Sequence, residues 1–278
     1  MSGLARFGIL YTENAVPETR LESRFRLNID ASAEADGGLT FGARVRLQAD
    51  DAGTAAGVLG TNAPRFTMSA GGLTVGAGNI LGAINSMPGL YGGTVGLSGL
   101  GFSNVVTNFG SDTYSSTGIG RNGVEVIYSM GDLGVHLSHS DSISNIGSPP
   151  VATSITRTAL SVSYAVSGWT LALGYQDSSV ATDAEWVATV GGALGAANVG
   201  FAFAQAYNGN NSMTLSGSFA VGAATTVTAY FAKDEGQVDD TAYGIGVVHN
   251  LGGGASVRGG VASTHGTNRA DLGVQFNF

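Results

Sequence analysis

The chain has 278 residues, of which 45 are glycine and only 5 proline; 12% are charged, and there is no cysteine. The formal charge of −8 argues against nucleic acid as a partner, and just one of the twelve basic residues, Lys233, is a lysine. Lack of cysteine rules out a disulfide framework and suits a chain that crosses an oxidising compartment, although cytosolic proteins can lack it too.

Residues 1–10 carry no secretory signal and run straight into an alternating pattern, as expected of a mature exported chain with an added start methionine. Alternation of apolar with polar or tiny residues then recurs along nearly the whole chain. Leu39, Phe41, Ala43, Val45 and Leu47 oppose Thr40, Gly42, Arg44, Arg46 and Gln48, and Trp169, Leu171, Leu173 and Tyr175 oppose Thr170, Ala172, Gly174 and Gln176. The interruptions are of two kinds. Short ones rich in glycine, at 34–38, 71–72, 131–132, 167–168, 191–197, 222–224 and 252–254, offer the positive φ that tight hairpin turns require. Longer or more polar ones fall at about 12–19, 51–64, 80–118, 141–155, 178–182, 208–211, 234–239 and 265–267. The two kinds take turns, which predicts about sixteen antiparallel strands with seven turns at one end and eight loops at the other.

The apolar stretch 187–206 is long enough for a membrane helix, but four glycines interrupt it and its second half alternates, so it reads as two strands and a turn. The last ten residues, 269–278, are two-faced and match the roughly 9–11 residues with which a tilted strand crosses a membrane. Alternation alone leaves open which face is wet. The strand count decides it: about sixteen strands in one closed sheet make a ring too wide for side chains to fill, so the interior holds water and the exterior needs an apolar solvent. Aromatic residues near strand ends, among them Tyr11, Tyr128, Trp169, Trp186, Phe276 and Phe278, suit the girdles at the two membrane interfaces. The expected fold is all-β: one transmembrane antiparallel barrel spanning 1–278.

Three stretches carry a resemblance to the general porins of alphaproteobacteria: Ala270-Asp-Leu-Gly-Val-Gln-Phe-Asn-Phe278, the hairpin of 240–248 with 251–258, and Gly37-Gly-Leu-Thr-Phe-Gly-Ala-Arg44. The resemblance extends to strand count and loop order. It implies a homotrimer in the outer membrane of a Gram-negative bacterium, a terminal phenylalanine read during assembly, and a third loop, about 80–118, folded into the lumen. Passive diffusion of small hydrophilic solutes is the implied function; a substrate-selective channel and a barrel enzyme are the rivals.

The third loop is by far the longest connection, and its only acid is Asp112. It offers Leu81, Ile84, Met87, Leu90, Tyr91, Val95, Leu97, Phe102, Val105 and Phe109, some of which must pack on the inner wall if the loop folds inward, so that part of the lumen is not simply polar; the alternative is an outward loop packed on a neighbouring subunit. Half of the basic residues (Arg6, Arg20, Arg24, Arg26, Arg44, Arg46) lie in the first fifty positions. Parity puts 24, 26, 44 and 46 on the lumen face, and a turn centred near Asp36 would set Arg26 beside Arg46, a like-charge pair costing up to about 1 kcal/mol. Two readings follow. In one, Arg6, Arg24, Arg26, Arg44 and Arg46 with Asp112 and Glu125 form a constriction with a transverse field; in the other, the arginines pair with acids such as Glu22, Asp30, Asp50, Asp112 or Glu125 and anchor the loop. Few loop acids suggest a weaker cation preference than the acidic total would give, extending to a slight anion preference. The acidic positions Asp50, Asp51, Asp234, Asp239 and Asp240 could hold calcium or bridge lipopolysaccharide phosphates.

Other signals fade on inspection. Gly118-Ile-Gly-Arg-Asn-Gly123 matches a dinucleotide fingerprint but leads into a strand instead of a helix. His136 and His139 lie three apart on a strand, hence on opposite faces, and cannot share a metal. No motif selects a nucleophilic serine. A glycine-rich fibre would repeat at a fixed period, and these hairpins do not.

Overall fold

The computed structural model describes residues 1–51, 55–100, 109–146 and 151–278, with backbone alone at 144–146 and 151–153. Among the described residues there are seventeen strands and no helix. In chain order they are β1 (Ser2–Thr12), β2 (Thr19–Ala35), β3 (Leu39–Asp50), β4 (Gly60–Thr61), β5 (Arg65–Ala70), β6 (Leu73–Asn79), β7 (Asn122–Met130), β8 (Leu133–Ile146) and β9 (Val151–Val166). They continue as β10 (Trp169–Ser178), β11 (Glu185–Leu194), β12 (Ala197–Gln205), β13 (Asn211–Ala220), β14 (Thr225–Asp234), β15 (Thr241–Gly252), β16 (Ala255–Thr264) and β17 (Thr267–Asn277). The two-residue β4 pairs with the upper part of β3 and β5 with the lower part, so they share one stave and the wall counts sixteen. All neighbouring staves run antiparallel, and β1 pairs with β17 from Leu4 opposite Asn277 to Thr12 opposite Arg269, closing the sheet on itself.

The turns at one rim are as tight as their residues allow. Gly71 and Gly72 both take positive φ, 56° and 84°, as do Ser167 and Gly168, 50° and 81°. Two consecutive left-handed residues match the right-handed twist of the strands they join. The stretch 187–206 forms β11 and β12 as two strands; the turn between them is only residues 195–196, and Gly191 and Gly192 lie within β11, paired with Gly200 and Val199. The polar run 141–155, expected as a loop, is mostly strand: β8 and β9 extend the hairpin to Ile146 and Val151, and only residues 147–150 between them lie outside the description.

The outer and inner faces differ as the alternation predicts. On β10 Leu171 is 46% and Leu173 67% exposed, while Ala172 and Gln176 between and beyond them are 2% and 1% exposed. Phe7, Ile9, Phe41, Phe66, Leu215, Ile245 and Leu272 carry the same exposed apolar band around the wall. Such a surface needs hydrocarbon around it, because an apolar area of this extent exceeds what soluble chains leave uncovered. At the upper rim Tyr175 and Trp186 meet edge to face with centroids 4.7 Å apart, in keeping with an interfacial girdle.

Replacing Leu173 with arginine should lower the unfolding free energy in lipid by about 2–4 kcal/mol, read from urea titration of the vesicle-inserted barrel. The same change at Thr170, on the wet face, should have a much smaller effect.

Candidate pore constriction

The long connection between β6 and β7, residues 80–121, does not stand out from the barrel. It lies against the inner wall and moves along the staves nearly in order. Ala83 N donates to Ser138 Oγ on β8 at 3.0 Å, and Thr189 Oγ1 on β11 donates to Pro88 O at 2.6 Å. Gly92 sits over Thr214 on β13, Gly93 over Thr228 on β14, and Gly96 over Gly246 and Gly260 on β15 and β16. Close approach requires those two wall glycines: a Cβ added at Gly246 or Gly260 would lie 2.7 or 2.9 Å from Gly96 N. On β17, Asp271 accepts from Leu97 N at 2.9 Å, Ser98 N at 2.7 Å and Ser98 Oγ at 2.7 Å. Arg6 Nη1 on β1 donates to Leu97 O at 3.2 Å. The loop has then reached the seam where the barrel closes.

Beyond 101–108, which include Phe102 and Val105 and lie outside the described residues, the chain is back at β9 and β10. There Gln176 donates to Gly110 O at 2.8 Å, and Asp112 faces Arg157 at 3.4 Å and Arg121 at 3.8 Å. Burial, and then the charge of Arg157, hold Arg121 below the ordinary guanidinium range. Tyr91 is exposed, but several other greasy loop residues pack inward: Ile84, Leu90 and Val95 are 1% exposed and cluster with wall residues Ala172, Val187, Ala202, Ala204, Ala232 and Ala262, and Leu97, also 1% exposed, lies against Gly8 and Gly273. Each such side chain contributes about 1.5–3 kcal/mol on full burial. The wall beneath these side chains is accordingly lined by small residues.

The arginines occupy the part of the wall carried by β1 to β5. The register corrects the expected Arg26–Arg46 opposition. The turn is three residues, 36–38, with Ala35 opposite Leu39, so Arg26 faces Gln48 and Arg46 faces Asn28. Directly opposed like charges do occur, but elsewhere: Arg6 faces Arg24 across β1 and β2, and Arg44 faces Arg65 across β3 and β5. Each of those four has its own acid. Arg6 donates to Glu22 at 2.9 Å through Nε, Arg24 pairs with Asp50, Arg44 with Asp30, and Arg65 Nε donates to Glu125 at 2.6 Å. Arg65 was not among the expected residues; its place on the same face as Thr67 and Ser69 was the available signal.

Glu125 and Asp112, expected at the constriction, are 1% and 3% exposed. Both lie in the seam between loop and wall: Glu125 also accepts from His136 Nε2 at 2.9 Å and from Leu81 N at 3.1 Å. They act as anchors at the two limbs of the loop. His139 faces the other side, bonded to Thr158, as its parity requires.

Arg26 and Arg46 converge on the returning limb. Arg26 Nη2 and Arg46 Nη1 each donate to Ser116 Oγ at 3.2 Å, and the Arg46 guanidinium lies 4.9 Å from the centroid of the Tyr114 ring. Of the acids weighed for calcium, Asp50 and Asp51 are paired with Arg24 and Arg20, Asp240 with Lys233 at 3.1 Å, and Asp234 accepts from Ser212. Asp239 accepts from Thr241 N at 3.3 Å. The Lys233 bond, ahead of the Thr241 hydroxyl, holds Asp240 below the usual carboxylate range. Among the described residues no three of His, Asp and Glu cluster as a metal ion would need.

A closed sixteen-stave sheet, apolar outside and hydrated inside, with its own loop laid across the lumen, is a channel of the outer-membrane diffusion type. A family model described as Gram-negative porin matches residues 1–269, and the chain belongs to that family. It is 32% identical over 291 residues to a porin of Fuscovulum blasticum, covering 100% of this chain and 99% of that one. A porin of Rhodobacter capsulatus is 29% identical over 322 residues with the same coverage. A mutant of the Rhodopseudomonas blastica porin superposes with TM-score 0.85 at 30% identity, again over 100% and 99% of the two chains. The protein is a general diffusion porin of the outer membrane.

Asp271→Ala should free the Leu97–Ser98 corner. Bonds to a charged acceptor are each worth about 1.5–3 kcal/mol, so amide exchange at Leu97 and Ser98 should speed by roughly tenfold or more while exchange in β17 stays slow.

Proposed function

We propose that the open path runs past the arginine bank of β1 to β3 and the limb of the loop that Arg26 and Arg46 hold against it, and that its field favours anions weakly. The carrying observation is the charge inventory of that bank. Arg6, Arg24, Arg44 and Arg65 pair with Glu22, Asp50, Asp30 and Glu125, and Arg20 with Asp51 and Glu22, whereas among the described residues Arg26 and Arg46 form no ion pair with a carboxylate. The acid that the loop carries, Asp112, is turned toward Arg157 and Arg121. Arg6, Arg24 and Arg44 then set the edge of the passage, with Asp112 and Glu125 holding the loop that faces it.

In this reading the unit is a homotrimer, as the resemblance to general porins implies. Outer-membrane lipid and lipopolysaccharide cover the remaining apolar wall, and neither calcium nor catalysis has a part. Small hydrophilic solutes pass by diffusion, and dipolar ones orient as they pass the bank.

Reversal potentials across a potassium chloride gradient test this. Wild-type channels should favour chloride modestly, and the double variant Arg26→Ala, Arg46→Ala should shift the preference toward potassium. A strong cation preference in the wild type would overturn it.

A further inference from the structure

We propose that Arg26, Arg46 and Ser116 form a binding site for small oxyanions, the phosphate or carboxylate groups of passing solutes; the inference rests on the reading that the arginine bank lines the open path. The site begins with a mismatch of charge. Every acidic residue of the chain lies within the described stretches, since 52–54, 101–108 and 147–150 carry none. Still, neither guanidinium meets a carboxylate directly. Arg26 Nε donates to Gln48 Oε1 at 2.5 Å, and Arg46 Nε to Asn28 Oδ1 at 2.9 Å. The nearest acid stands one step away: Gln48 Nε2 donates to Asp50, which is itself paired with Arg24.

These neutral amides aim the two guanidiniums without neutralising them. Each has five N–H groups in a fixed plane, and the bonds to Gln48, Asn28 and Ser116 use two on each. The remaining donors are available to a ligand with two or more acceptor oxygens, which guanidinium planes match well. Ser116 adds a third partner. Its oxygen has two lone pairs, both taken by the arginines, so its own proton is left to donate outward.

The hydroxyl is held in place from behind. Ser115 is fixed by two buried wall residues: Asn62 Nδ2 donates to Ser115 O at 2.6 Å, Asn79 Nδ2 donates to Ser115 Oγ at 3.0 Å, and Ser115 N donates to Asn79 Oδ1 at 3.2 Å. On the other flank Tyr114 lies against Arg46. Three donors from three elements, β2, β3 and the loop, thus converge with little left to order on binding, which is where preorganisation adds affinity. An oxyanion, with several acceptor oxygens, matches the planar guanidinium donors better than a spherical halide.

The test is the conductance of the purified porin in planar bilayers in about 1 M potassium chloride, where the screening length falls to about 3 Å and only contact interactions persist. Potassium phosphate is titrated in. The wild-type current should fall along a saturating curve. Ser116→Ala should weaken that block by about tenfold, and Arg26→Ala with Arg46→Ala should weaken it further. Arg258→Ala, a lumen arginine bonded to Ser256 on β16, should leave it intact. Equal weakening in the Arg258 variant would show a diffuse field and overturn the site. The reversal potential of the same channels separates the two levels. Chloride preference without saturable block overturns the site alone, whereas potassium preference without block overturns it together with the reading on which it rests.

Discussion

Everything in this molecule follows from one requirement, that no backbone N–H or C=O within the hydrocarbon layer be left without a partner. A sheet meets it only by closing, and here closure is the pairing of β1 with β17, which brings Arg6 opposite Gln275. Closure with sixteen staves then fixes the rest. The ring is too wide for its own side chains to fill, so the interior is shaped by a segment that is not part of the wall. The 80–121 loop serves that role, and its packing has the chemistry of a soluble core: Ile84, Leu90 and Val95 against alanine and threonine, with backbone groups met by Ser138, Thr189 and Asp271.

A greasy seam and a charged bank therefore divide the lumen between them. Where the loop's apolar residues meet the wall, many inward residues are small, chiefly alanine and glycine, while Glu125, Arg157 and Gln176 bond its two limbs. On β1 to β5 the inward residues include a bank of arginines, and their mutual repulsion is relieved by carboxylates on the next stave or, for Arg65, on the next but one. That interleaving explains how Arg6 and Arg24, or Arg44 and Arg65, tolerate direct opposition. It also accounts for the two arginines that stand apart: opposite Arg26 and Arg46 the sequence places Gln48 and Asn28 in place of acids.

The wall was legible because period-two alternation and paired glycines are local signals, read within a few residues. Strand number, faces and the order of turns and loops all came from them. What failed was also local in cause. A turn centred on Gly37 instead of Asp36 displaces every partner across β2 and β3 by two positions, which keeps each face but changes each pair. Polar residues of 141–155 lack membrane alternation because β8 and β9 run on past the apolar band. The loop's seat left no local trace. Leu97 and Asp271 are 174 positions apart, and nothing near either one announces the other.

The bond between those two residues also fixes a sequence of events. Leu97 touches Asp271 on the last stave and Arg6 on the first, so its seat spans the seam and does not exist until the two ends of the sheet have met. A barrel still open at that edge keeps the anchors at Ser138 and Thr189 but lacks the seat for Leu97. The far corner of the loop is thus completed only by the zipping of the final stave.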